Sequence, residues 1–298
     1  QIDALVAIYG DNAVKLLVEL DDGGSSLSTE VKLNDASVQK PQSVFPADVD
    51  SDGDVDVLVA DEDVGVVLYD NNGDATFTQH LITTSLTDAR YVTAVDLLGD
   101  GGAPLHLDLL AASSSDGFIG WYENDNSTGS MLPSDVSETL LTTKNCNSGD
   151  NAYGANSVQA ADLNGDGCLD VLYAGKALSG SYGAGPRVVW EKNDCAATPT
   201  FVKEIVTNQI NYDAGDEFTV AAHDLDQDGD VDVLVTSAKA SELNWYMNDC
   251  AAAPTRAPTG GFPSSVPSSV PSAVPSSVPT AVPSSVPSSV PTINPMPV

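Results

Sequence analysis

The apolar positions of this chain come in short runs of about four to eight residues rather than at helical spacing, and they are rich in Val, Leu and Ala. Val55-Asp56-Val57-Leu58-Val59-Ala60, Leu169-Asp170-Val171-Leu172-Tyr173-Ala174 and Val231-Asp232-Val233-Leu234-Val235-Thr236 are examples, each bounded by Asp, Asn, Gly or Ser. Such runs read as buried strands separated by turns. They fall into trains of four. One train is 43–48, 56–61, 64–71 and 77–83; the next is 91–97, 107–112, 117–124 and 137–142; a third is 157–162, 170–175, 186–192 and 200–207. The ends hold incomplete trains. Ile2-Asp3-Ala4-Leu5-Val6-Ala7 matches Val55 to Ala60, so residues 1–33 supply strands two to four of a unit, and the last unit holds 217–224, 232–237 and 242–247. Antiparallel four-stranded units recurring at roughly 50 to 65 residues predict an all-β fold, a β-propeller with blades at about 1–33, 43–83, 90–142, 157–207 and 217–250.

Between the first and second strands of three units stands the same nine-residue acidic stretch. The copies place oxygen-bearing side chains at positions 1, 3, 5 and 9 and Gly at position 6. They are Asp48, Asp50, Asp52 and Asp56; Asp162, Asn164, Asp166 and Asp170; and Asp224, Asp226, Asp228 and Asp232. A hard cation such as Ca2+ takes six to eight oxygens, and alternate residues of a tight loop converge on one point while Gly supplies the turn. Position 7, which is Asp54, Cys168 or Asp230, is expected to contribute its backbone carbonyl. An EF-hand opens alike but needs a Glu at position 12, where this chain has Val59, Tyr173 and Val235. The competing reading is a solvated acidic turn, which three copies at one spacing disfavour.

These residues, with the third-strand signatures Gly120-Trp121-Tyr122-Glu123-Asn124-Asp125, Val189-Trp190-Glu191-Lys192-Asn193-Asp194 and Asn244-Trp245-Tyr246-Met247-Asn248-Asp249, resemble the FG-GAP/VCBS repeats of integrin-α-like β-propellers. The resemblance covers residues 1–250. It implies one Ca2+ in each acidic loop and a ring usually of seven blades, of which this chain would hold about five, three whole and two partial. The stretch Asp96-Leu97-Leu98-Gly99-Asp100-Gly101-Gly102 departs from the pattern, with Leu98 where an oxygen belongs and Asp108 late, so three calcium sites are expected and none there.

Charge changes the picture of partners. The 298 residues carry 43 acidic against 11 basic side chains, a net charge of -32, which disfavours nucleic acid and anionic membrane surfaces and which bound cations would offset. No apolar run is long enough for a membrane span. The four cysteines, Cys146, Cys168, Cys195 and Cys250, lack zinc spacing and suggest disulfides in an extracellular setting; Cys168 to Cys195 is favoured among three connectivities. Asn126-Ser127-Thr128 is a glycosylation sequon. Residues 251–298 differ in kind: from Pro263 to Pro295 a proline recurs every fourth residue among Ser, Thr, Ala and Val. That composition predicts an extended, mucin-like stalk suited to cell-wall or matrix attachment, similar to tails on secreted algal and diatom cell-surface proteins.

His80, His106 and His223 belong to no recognisable triad, so catalysis is not expected. The aromatics Tyr69, Trp121, Trp190 and Trp245, which recur at one place in each unit, are expected to pack blade against blade. Together these features point to an extracellular calcium-binding propeller that engages a protein or glycan ligand, with a non-catalytic part of a lyase-like carbohydrate enzyme, or a structural wall protein, as alternatives.

Overall fold

A computed structural model of the chain describes residues 4–9, 13–19, 27–33, 38–74, 76–99, 107–124, 136–142, 154–177, 185–196, 198–208, 210 and 217–248. These all belong to the first of two units, Gln1–Thr259 and Gly260–Val298. Asn126, His106, Cys146, Cys250 and the predicted stalk lie outside the described residues.

Every regular element among the described residues with a defined span is a strand. The order is β1 (Ala4–Ile8), β2 (Ala13–Glu19), β3 (Leu27–Leu33), β4 (Pro41–Ala47), β5 (Asp56–Asp61), β6 (Gly65–Asn71), β7 (Phe77–Thr83), β8 (Ala89–Val95), β9 (Asp108–Ser113), β10 (Ile119–Asn124), β11 (Val136–Leu140), β12 (Val158–Ala161), β13 (Asp170–Ala177), β14 (Gly185–Asn193), β15 (Phe201–Thr207), β16 (Phe218–His223), β17 (Asp232–Ser237) and β18 (Glu242–Tyr246). They pair only with their sequence neighbours. Three four-stranded sheets, β4 to β7, β8 to β11 and β12 to β15, lie between two three-stranded ones, β1 to β3 and β16 to β18. All are antiparallel, so the fold is an all-β propeller of up-and-down blades.

The continuous apolar runs follow from burial on both faces of each blade. In β5 all six residues are buried. Val57 and Val59 pack with Val14 and Leu33 of the preceding blade, whereas Leu58 and Ala60 pack with Val92, Leu109 and Ala111 of the following one. A strand in the middle of a stack has no wet face, so the two-residue alternation disappears. Each such aliphatic side chain contributes on the order of 1.5 to 3 kcal/mol by leaving water. Gly65, which opens β6, is held at φ 115°, and a Cβ there would collide with the Thr83 carbonyl.

One expectation needs correcting. Strand pairing sets Leu68, opposite Leu58, in the place of Trp121, Trp190 and Trp245, which oppose Leu110, Leu172 and Leu234. Tyr69 stands one residue further on, with Tyr122, Glu191 and Tyr246. The shift reverses the face. Trp121 and Trp190 reach toward the following blade, where Trp121 meets Phe201 edge-on at 5.6 Å, while Tyr69, Tyr122 and Tyr246 lie in the clusters shared with the preceding blade. Blade-to-blade packing is the role of Tyr69, Tyr122, Tyr246, Trp121 and Trp190, whereas Trp245, in the last sheet, is half-buried and stands in none of these clusters. No helix among the described residues is long and apolar enough to cross a membrane.

Candidate metal centre

The three acidic loops connect first to second strand in their blades, β4 to β5, β12 to β13 and β16 to β17. Their shared spacing produces a shared backbone. Position 4 is left-handed in each, with φ 64° at Ser51, 72° at Gly165 and 64° at Gln227, and so is the glycine at position 6, with φ 97°, 90° and 103° at Gly53, Gly167 and Gly229. Left-handed backbone costs L-residues roughly 1 to 2 kcal/mol, so glycine suits position 6.

The side chains hold that path. The position-1 carboxylates accept the N–H of the glycine at position 6, at 3.2 Å for Gly53 to Asp48, 2.9 Å for Gly167 to Asp162 and 3.1 Å for Gly229 to Asp224. Position 3 accepts from the N–H of position 5, at 3.1 Å for Asp52 to Asp50, 3.1 Å for Asp166 to Asn164 and 3.3 Å for Asp228 to Asp226. Position 5 accepts from position 7, where Asp54, Cys168 and Asp230 donate to Asp52, Asp166 and Asp228 at 2.9, 3.0 and 3.0 Å.

Position 9 does something the spacing alone did not disclose. Asp56, Asp170 and Asp232 are fully buried. One oxygen of each accepts the N–H of position 2, from Val49 at 2.9 Å, Leu163 at 3.2 Å and Leu225 at 3.0 Å. The other accepts the N–H of the asparagine that ends the third strand, Asn71 at 2.9 Å, Asn193 at 2.8 Å and Asn248 at 2.8 Å. Asp108 keeps the second of these bonds, to Asn124 at 2.9 Å, in the blade whose loop has Leu98 in place of the position-3 oxygen. The aspartate therefore ties loop to blade independently of any ion. In that blade Gly99 still donates to Asp96 at 2.8 Å, but Leu98 packs against the apolar cluster shared with the next blade.

Carboxylate oxygens of Asp48, Asp50 and Asp56 lie within 4.8 Å of one another, as do those of Asp224, Asp226 and Asp232. Asp52 and Asp228 stand outside these groups. In the middle loop the grouped residues are Asp166, Cys168 and Cys195, of which the cysteines are joined in a disulfide. The favoured pairing is thus present. Asn164 donates to Asp166 at 2.7 Å, and Lys192 Nζ stands 3.8 Å from Asp166 Oδ2. Cys195, at φ 60°, occupies the turn place that Gly73 holds in the earlier blade, each donating its N–H to the strand-ending asparagine two residues before it. There the position-7 side chain of Asp54 lies directly over Gly73.

Burial and crowding raise several of the loop carboxyls. Burial pushes the Asp56 carboxyl up to about 7, against the pull of the Asn71 and Val49 N–H groups and with added repulsion from Asp50 and Asp70. Burial, then the neighbouring carboxylates, also raise Asp50 and Asp226, and burial raises Asp170. Asp48 Oδ1 is buried with no hydrogen-bond partner. The all-oxygen groups at 48–56 and 224–232 suit a hard divalent ion, and their residues fit one. Of the histidines, His80 lies 3.5 Å from Asp70 across β6 and β7, and His223 ends β16 opposite Asp232.

The FG-GAP-like repeat family matches residues 48–103 and 106–173. Those residues carry FG-GAP-like repeats. The first match opens on Asp48 itself, and beyond the matched residues the loop 224–232 repeats the hydrogen bonds of the loop 162–170. The crystal structure of a protein from Lactobacillus plantarum is similar to 84% of this chain and 68% of that one, at 14% identity and a TM-score of 0.40. Among curated proteins, none matches.

Proposed function

We propose that this FG-GAP-repeat propeller is an extracellular, calcium-stabilised module for binding or adhesion to a protein or glycan ligand. Ca2+ would be held by Asp48, Asp50, Asp52 and Asp56, by Asp162, Asn164, Asp166 and Asp170, and by Asp224, Asp226, Asp228 and Asp232, with the carbonyls of Asp54, Cys168 and Asp230. The observation that carries the reading is the convergence of carboxylate oxygens from positions 1, 3 and 9 in the loops 48–56 and 224–232, with Asp48 Oδ1 orphaned and buried Asp56 repelled by Asp50 in the first. A bound divalent ion relieves both. The ion's role is to hold the loop and to offset charge; the position-9 aspartates are already committed to backbone N–H groups, which suits a structural centre.

The disulfide between Cys168 and Cys195 supports an oxidising, extracellular setting. Ligand recognition falls to the blade-end loops, since loops on a rigid scaffold commonly carry binding residues. Residues 251–298 are proposed as a spacer to a wall or matrix. Calorimetric titration with Ca2+ tests the metal, with three sites expected. A glycan array and a cell-binding assay test the ligand; product release from a polysaccharide in the same preparation would place the chain with carbohydrate-active enzymes instead.

A further inference from the structure

The asparagines that end the third strands do more than cap their own blades. Each sends its side-chain N–H groups two ways. Asn124, Asn193 and Asn248 donate within the blade to Leu107, Leu169 and Val231 carbonyls at 3.3, 3.1 and 3.2 Å. Each also crosses to position 2 of the preceding blade's loop, Asn124 to Val49 O at 3.1 Å, Asn193 to Leu97 O at 3.3 Å and Asn248 to Leu163 O at 2.9 Å. All three asparagines are at most 3% exposed, so water does not substitute for them.

We infer that these asparagines are positioning residues that couple cation binding in one blade to the next, the tightest link being Asn248 between the loops 162–170 and 224–232. The inference rests on the calcium reading of those loops. Leu163 sits between Asp162 and Asn164, both expected ligands, and its N–H is fixed on Asp170 at 3.2 Å. Its carbonyl takes the Asn248 side chain, whose backbone N–H binds Asp232 at 2.8 Å, and Asp232 shares its oxygen cluster with Asp224 and Asp226. A peptide unit that an ion fixes in one loop therefore fixes the amide that orients a carboxylate in the next. Between the loops 48–56 and 162–170 the altered loop intervenes: Asn124 joins Val49 to Asp108 and Asn193 reaches Leu97, so coupling across that span is weaker. Asn71 provides an internal control: its side chain donates to Val55 O of its own blade at 3.1 Å and is only half-buried.

The test is calorimetric titration of the full chain with Ca2+ in a four-way cycle of wild type, Asp162→Ala, Asn248→Ala and the double variant. Loss of the loop 162–170 is expected to weaken the site at 224–232 by about fivefold or more. In the Asn248→Ala background that effect vanishes, and in the Asn71→Ala background it persists. Equal affinity at 224–232 with and without Asp162→Ala, or coupling that survives Asn248→Ala, overturns the inference. Absence of heat at every loop would defeat the calcium reading alone. The same link is then read in metal-free protein by hydrogen exchange, where Asn248→Ala should speed exchange of the Gly165 and Gly167 amides in the preceding blade; unchanged protection overturns it. If Asn248→Ala does not fold, Asn193→Ala read at the Gly99 amide serves the same purpose.

Discussion

The two roles of the position-9 aspartate separate in a comparison of Asp108→Asn with Asp56→Asn. Asp108 is 2% exposed, and burial pushes its carboxyl up to about 7, with the Asn124 N–H opposing. A carboxyl raised in the fold stabilises it fully below the unfolded value near 4, and that contribution fades as pH rises toward 7. The slope is at most about 1.4 kcal/mol per pH unit and flattens as the folded carboxyl itself titrates near 7, so wild type should lose about 2 kcal/mol from this residue between pH 5 and 7. Asparagine keeps the acceptor for Asn124 and cannot ionise. Urea unfolding followed by tryptophan fluorescence should therefore show Asp108→Asn gaining on wild type by that amount over that range, with or without calcium. Asp56→Asn should do the same in EDTA. In calcium at ten times the dissociation constant it should instead lose about 1.4 kcal/mol relative to wild type, the linkage contribution of one ion. A constant difference between Asp108→Asn and wild type from pH 5 to 7 would refute the pH argument. A calcium-dependent loss in Asp108→Asn would show that the altered loop binds an ion after all.

Chelation should lower the melting temperature, since three ions at the same saturation contribute about 4 kcal/mol together, and anomalous scattering should find them at 48–56, 162–170 and 224–232 with none at 96–108. Cys168→Ser should cost about 3 to 4 kcal/mol in denaturant unfolding, from the loop closed by a cross-link 27 residues apart in sequence. Asp54→Cys with Gly73→Cys should oxidise to a disulfide detectable by mass spectrometry, because Gly73, at φ 75°, has the left-handed backbone that Cys195 adopts. Gln227→Gly should raise the urea midpoint by the equivalent of about 0.5 to 1 kcal/mol, matching Gly165 at the same loop position; a fall would mean that the glutamine side chain holds the turn.

The strands were legible in the sequence because burial on both faces leaves uninterrupted apolar runs such as 56–61, and the acidic loops because oxygens at alternate positions have few other uses. What escaped was register. Tyr69 aligned with the tryptophans by spacing from the preceding strand, but pairing of buried Asp56 with Asn71 sets the hairpin one residue differently. The asparagines themselves were in plain view, in the Asn-Asp pairs at 124, 193 and 248. An asparagine at a strand end usually reads as a turn residue, and nothing local tells that its amide reaches a carbonyl in another blade. The left-handed Ser51 and Gln227 were likewise hidden, since neither residue type advertises that backbone.

The crossing amides also give the molecule a direction in time. Val49 waits for Asn124, Leu97 for Asn193 and Leu163 for Asn248, partners that follow by 75, 96 and 85 residues. As the chain leaves the ribosome, each blade can pair its own strands at once, yet the loop it presents stays unfinished until the third strand of its successor has been made. Synthesis thus completes these three loops one blade behind the growing end.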